Sequence, residues 1–295
     1  MSKLGVRVWR WLFESGDKKR LAKQVQDLSD LQITKDIEYV PDGDEGHLLD
    51  VYQLHDLPKE APVMVNIHGG GLFASYKEVN ANFNYEWARL GYRTVSISYR
   101  RIPETTLWHQ VDDVMAALRY LAQHAEELGL NLDRCYITGD SAGALLALFS
   151  LALTSTPGIR DAFGIAAANI TFRAAGFVSI MLDTQRRDLM RAINNVVTSK
   201  EDRGAPYERY LLNPALLATE AQLPPLFLVT SEEDLIQADT LKLEKLLSLC
   251  GKEHELLNFA KNGECELVHV FSVSYPMYPE SREVFGKMNA YLLAR

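Results

Sequence analysis

The chain has 295 residues, 47% hydrophobic and 24% charged, a balance typical of globular proteins that excludes disordered and fibrous classes. With 31 Lys and Arg against 39 Asp and Glu, the net charge is -8, which repels phosphate backbones and argues against a nucleic-acid partner. Cys135, Cys250 and Cys265 form no C-x-x-C pair, so neither a disulfide framework nor a Cys-based zinc site is indicated, and a reducing, cytoplasmic setting is expected.

No stretch approaches the roughly 18 uncharged apolar residues of an integral membrane span. Arg7, Arg10 and Glu14 also interrupt the apolar run that a signal peptide needs. Residues 4–31 place Trp9, Trp11, Leu12, Leu21, Val25 and Leu28 at roughly helical spacing among many charges, which predicts an amphipathic helix. Residues 33–40 and 48–54 flank the turn-rich segment 41–46 and read as a hairpin.

From Pro62 onward, short apolar runs alternate with longer helical segments. Strands are expected at 63–67, 92–98, 135–138, 174–181, 226–230 and 254–260. Helices are expected at 81–90, 108–128, 142–153, 238–249 and 281–294. This alternation implies an α/β fold with a mostly parallel central sheet and helices on both faces. The rhythm breaks between Met181 and Leu226, where helical pieces such as 185–197 appear without a clear strand. A connection that long is usually a functional excursion. We read 182–210 as a helical lid insertion and 1–32 as an N-terminal lid helix, leaving 33–181 and 211–295 as the core.

The strongest chemical signal is Gly139-Asp140-Ser141-Ala142-Gly143. A lone G-x-S-x-G is weak evidence, but here it directly follows a strand and opens an apolar helix, the context that a nucleophile elbow requires. His68-Gly69-Gly70-Gly71 follows the strand 63–67, and three glycines in a row let backbone N–H groups approach a ligand. No phosphate-loop pattern is present.

A serine nucleophile needs a base, and the base needs an acid that holds its tautomer. Reactive groups of a parallel sheet collect beyond the carboxyl ends of strands. That criterion sets aside His47, His55, His109, His124 and His254 and leaves His68 and His269. His68 belongs to the glycine loop as a structural hydrogen-bonding residue, so His269 is the expected base. For the acid, the loop after 226–230 offers Glu232, Glu233, Asp234 and Asp239. Asp234 is preferred by position, giving the chain order Ser141, Asp234, His269, with Glu232 and Glu233 expected to face water.

Together with Tyr99-Arg100-Arg101-Ile102-Pro103-Glu104, Asp234-Leu235 and His269-Val270-Phe271, these motifs resemble the ordered signature of the hormone-sensitive-lipase-like esterases over residues 33–295. The resemblance implies an α/β-hydrolase that cleaves carboxylic esters, commonly short-chain ones, without a cofactor; a lid packed over Ser141 would limit the acyl pocket to acetyl to butyryl esters, and the triad chemistry needs no metal. The resemblance further implies catalysis by Ser141, Asp234 and His269, with oxyanion hydrogen bonds from Gly70, Gly71 and Ala142. The expected partner is a small-molecule ester, and the resemblance leaves room for a homodimer. Two departures stand out: Arg101-Ile102 replaces the usual Leu-Ala, and Val270 replaces the usual Gly after the histidine. Amide, formamide or lactone hydrolysis on the same triad stays open, as does a non-catalytic small-molecule receptor, since substrate choice lies outside the triad.

Overall fold

The computed structural model describes residues 3–185 and 197–295. Helix α1 (Lys3–Lys23) comes first, followed by the antiparallel strands β1 (Leu31–Glu38) and β2 (Leu48–Leu54). The order continues with β3 (Val63–Ile67), α2 (Ala81–Arg89), β4 (Arg93–Ile97), α3 (Leu107–Gln123), β5 (Cys135–Asp140), α4 (Ala142–Ser155), α5 (Pro157–Phe163) and β6 (Phe172–Val178). After the excursion come α6 (Glu208–Leu212), α7 (Ala215–Glu220), β7 (Leu226–Ser231), α8 (Gln237–Leu249), β8 (His254–Phe259), α9 (Phe271–Ser274) and α10 (Pro279–Leu293).

The strands form one eight-stranded sheet in the order β1-β2-β4-β3-β5-β6-β7-β8. Pairing is antiparallel for β1 with β2 and β2 with β4, and parallel from β4 through β8. The two-residue pleat sorts side chains between faces. Val63, Val65 and Ile67 of β3 point into a core shared with α3 and α4, while Met64 joins Phe83, Trp87, Phe285 and Met288 of α2 and α10 on the other face. Burial on both faces explains why the central strands are largely apolar. Helix α4 is buried at every position from Ala142 to Leu153, because it packs against the centre of the sheet.

The α/β architecture expected from the sequence is the one observed, with corrections to individual elements. The first helix ends at Lys23 and not near residue 31. Beyond it, Asp27 accepts the Ser29 amide at 3.0 Å, a local turn that competes with helix, and Arg89 holds the turn through the Asp27 carbonyl and Asp30. Strand β6 covers Phe172–Val178 and not 174–181, since the chain turns at Ser179, φ +52°. Helix α5 was not expected, although Pro157 at its first turn and the left-handed Gly164 at its end are ordinary start and stop signals. Residues 186–196, with most of the helical piece expected at 185–197, lie outside the described residues. Among the described residues no single helix is long and apolar enough to cross a membrane.

Candidate active site

Strand β5 delivers the chain to Ser141 at the point where the sheet gives way to α4. Ser141 has φ +50° and ψ -117°, a strained conformation for a residue with a side chain. It persists because its surroundings over-determine it. The Ser141 amide donates to the Val178 carbonyl at 2.9 Å, and its carbonyl accepts the Met181 amide at 3.1 Å. The flanking glycines are steric requirements. A Cβ on Gly143 would lie 2.0 Å from the Ile67 carbonyl oxygen, and one on Gly139 2.6 Å from the Gly143 carbonyl.

Three sequence-chosen side chains meet at this turn. His269 Nε2 stands 3.0 Å from the Ser141 hydroxyl oxygen, and His269 Nδ1 stands 2.7 Å from Asp234 Oδ1. Asp234 is buried and accepts two further hydrogen bonds: the Thr230 hydroxyl donates to Oδ2 at 3.0 Å and the Ile236 amide to Oδ1 at 3.0 Å. Burial pushes this carboxyl up, but the hydrogen bond and charge of His269 and the Ile236 amide outweigh it, so its pKa is held below the usual value. The carboxylate is therefore ionised where an imidazolium would form.

Glu232 and Glu233 do not simply face water, as the sequence suggested. Glu232 accepts the Lys261 amide at 2.9 Å and Glu233 the Leu267 amide at 3.0 Å. They pin the segment that presents His269.

The glycine loop borders the same cavity as Ser141. Gly70 and Gly71 adopt φ +114° and +60°, and their N–H groups have no protein acceptor among the described residues. Ala142 follows Ser141 at the first position of α4 and is buried; its side chain is not a cavity wall. His68 is fully buried, stacked on Tyr99 with centroids 4.4 Å apart, and its Nδ1 is bonded to the Gly69 carbonyl at 2.6 Å. Burial lowers its pKa to about 3, so it is a neutral support for the loop.

Sequence reasoning passed over Asp140 and Asn80. Asp140 Oδ1 accepts the Gly69 amide at 3.0 Å and the Asn80 side-chain amide at 2.6 Å, tying the glycine loop to the residue before Ser141. Burial raises the Asp140 pKa against these two donors. The signal was available, since Asp140 sits inside the serine motif itself.

Arg101, one of the departures from the family pattern, also has a structural role. It pairs with Glu14 of α1 at 2.5 Å and lies over the Tyr76 ring at 3.7 Å. Val270, the other departure, lies in the left-handed region at φ +54° and ψ +32° and lines the cavity. Its amide donates to the Ser179 hydroxyl at 3.2 Å.

The cavity over Ser141 measures about 170 Å³. Phe73, Met181, Val270 and Val273 supply apolar walls, and Phe13, Asp17 and Arg20 of α1 close one side. Among the described residues no three His, Cys, Asp or Glu side chains are grouped to hold a metal ion.

A family model described as the alpha/beta hydrolase fold matches residues 64–273. The chain belongs to this family, in its hormone-sensitive-lipase-like branch. A segment of 115 residues, 39% of the chain and 15% of the relative, is 30% identical to hormone-sensitive lipase of Mus musculus. This α/β-hydrolase chain is also 28% identical over 211 residues to esterase LipQ of Mycobacterium tuberculosis, covering 68% of the chain and 49% of LipQ. It thus spans about half the length of that relative. In three dimensions it is similar to esterase B of Lactobacillus rhamnosis, with a TM-score of 0.89 and 24% identity over 99% of this chain and 94% of that one. A further structure of esterase B carries a C4-C4 tributyrin phosphonate inhibitor.

Proposed function

We propose that the protein is a serine carboxylesterase acting on short-chain esters, acetyl to butyryl. The observation that carries this reading is the continuous row from the Ser141 hydroxyl through His269 to the buried Asp234 carboxylate, at 3.0 and 2.7 Å, on the floor of a largely apolar cavity. The esterase relatives support the same class.

His269, holding its Nδ1 proton against Asp234, takes the Ser141 proton on Nε2 as the oxygen attacks the ester carbonyl. The amides of Gly70, Gly71 and Ala142 receive the oxyanion, each such donor lowering the barrier by about 3–4 kcal/mol. His269 then returns the proton to the departing alcohol, leaving Ser141 acylated. Water, deprotonated by the same nitrogen, attacks the acyl carbonyl; the bond to the Ser141 oxygen then breaks, that oxygen takes the proton back from His269, and the acid is released.

Acyl length follows from volume. A cavity of about 150 Å³ accommodates a benzene-sized guest, so about 170 Å³ suits a butyryl group and little more. Helix α1 serves as a lid, contributing Phe13, Asp17 and Arg20 to the cavity wall.

The test is a hydrolysis panel of para-nitrophenyl esters of rising acyl length, with an aryl amide and a lactone, on the wild type and Ser141→Ala. We expect turnover to peak at or below butyryl and to vanish in the variant with melting unchanged. Turnover retained by a folded Ser141→Ala protein removes the nucleophile assignment, and a preference for the amide or lactone replaces the ester reading.

A further inference from the structure

Helix α1 wears its polarity inside out. The face toward the body of the protein buries Val6 and sets Phe13 against Phe73 but is otherwise charged: Arg10 donates to the Phe73 and Ile102 carbonyls at 2.6 Å each, Glu14 pairs with Arg101, and Arg20 reaches the Ser274 carbonyl at 3.0 Å. The opposite stripe, spaced as helix neighbours, runs through Val8, Trp11 and Leu12 and continues in Lys19 and Lys23. Trp11 is 66% exposed, Val8 52% and Leu12 50%, with Trp9 at 48% on the flank. An ordinary surface helix does the reverse, burying its apolar stripe against the core. Such an exposed patch marks a contact surface.

The charge says what covers it. Within a chain of net charge -8, α1 holds seven basic residues and two acidic ones. Lys18, Lys19 and Lys23 are exposed beside the apolar patch and have no ion pair among the described residues. Tryptophan next to lysine is the composition of a helix lying in a lipid interface, where the indole sits at head-group level and each cation near an anionic surface gains attraction. A second copy of the chain would instead bring one basic helix against another.

We propose that the outer face of α1 docks on an anionic phospholipid surface, with Val8, Trp9, Trp11 and Leu12 entering the interface and Lys18, Lys19 and Lys23 on the head groups. Phe13 of the same helix and Leu235, 42% and 59% exposed, both line the cavity over Ser141. Docking thus holds the cavity mouth within about one helix diameter, roughly 10 Å, of the lipid.

The experiment is co-sedimentation of the full chain with vesicles of phosphatidylglycerol or of phosphatidylcholine at low and high salt. We expect binding to phosphatidylglycerol that weakens with salt and little binding to phosphatidylcholine. Trp11→Ser/Leu12→Ser should weaken partitioning at least about tenfold, and Lys18→Glu/Lys19→Glu by at least about fivefold for each charge. Both variants should retain wild-type hydrolysis of a soluble para-nitrophenyl ester, since neither pair lines the cavity. No binding to phosphatidylglycerol at low salt overturns the proposal, as does equal binding to the neutral vesicles. So does a solution dimer that the Trp11→Ser/Leu12→Ser change dissociates while vesicle binding is absent. Ser141→Ala should bind vesicles as the wild type does, so the outcome is independent of the esterase reading.

Discussion

Replacing Gly143 by alanine tests whether the turn geometry, and not only the serine, carries the activity. The added Cβ would lie 2.0 Å from the Ile67 carbonyl oxygen, 2.4 Å from that of His68 and 2.6 Å from the His68 carbonyl carbon. All three are backbone atoms, so no side chain can swing away. Reaching ordinary contact near 3.4 Å from the Ile67 oxygen requires α4 and the end of β3 to part by about 1.4 Å, and α4 is buried along twelve consecutive residues. Overpacking of this kind costs about 1–3 kcal/mol of stability. Because Ser141 and the glycine loop flank the disturbed contact, a displacement of about 1 Å should lower turnover on the order of 100-fold. The assay is kcat/KM on a para-nitrophenyl butyrate substrate alongside a thermal melt. Gly158→Ala is the control, since a Cβ there meets nothing within 4 Å, and it should leave both readouts near wild type or raise stability slightly. A Gly143→Ala protein with wild-type turnover and melting would refute the argument that this close approach positions the nucleophile.

Asp234→Asn should lower kcat on the order of 1,000- to 10,000-fold with the fold intact, because the amide favours the wrong imidazole tautomer; a drop below tenfold counts against Asp234 as the acid. Val270→Gly releases a β-branched residue from a left-handed conformation costing about 1–2 kcal/mol and widens the cavity, so the hexanoyl-to-butyryl ratio of kcat/KM should rise about tenfold. An unchanged ratio in the acyl-length panel would remove Val270 from the specificity wall. A fourth prediction concerns pH. Burial pushes His47 down, but its bonds to Asp113 and Asp42, at 3.2 and 2.8 Å, raise its pKa overall. Asp113 is raised by burial yet lowered overall by His47 and Arg100. The His47 contribution is complete below its ordinary 6.5 and fades as pH climbs through the raised folded value; that of Asp113 is complete above 3.8 and fades as pH falls through its lowered one. The melting-temperature gap between wild type and His47→Gln should therefore be larger at pH 5 than at pH 8, and equal gaps would dismiss the cluster as a stabilising pair.

Much of the fold was legible because burial on both faces writes the parallel strands as plain apolar runs. Val63–Ile67 and Leu226–Ser231 are such runs, and their residue types alone separate them from the amphipathic α3. The errors fall where local hydrogen bonding competes with pattern. The stretch after Lys23 keeps apolar residues at helical intervals, yet Asp27 and the Arg89 anchors bend it into a turn. Short α6 and α7, five and six residues long, leave too few positions for a period to show.

The candidate site was legible for a different reason: its chemistry needs residues with little freedom of type. Only glycine tolerates the Gly143 contact, and a serine set between such glycines directly after a strand is what a nucleophile elbow demands. His269 and Asp234 could be chosen by topology, since each lies past the carboxyl end of a strand or in the loop that follows. What topology could not supply were partners chosen by side-chain reach. Asp140 spans from the serine turn to Gly69 and Asn80, and Arg101 spans from its loop to Glu14 in a helix 87 residues earlier. No periodicity records such a pairing, because a side chain makes the contact while the backbone patterns of both segments stay unaffected. Arg101 shows how such a partner can still be found. A charged residue standing where the family pattern has an apolar one must find a counter-charge or face water, and at 15% side-chain exposure Arg101 has found Glu14. The departures from a motif therefore pointed to the elements that this chain adds around the site, while the matches pointed to the site itself.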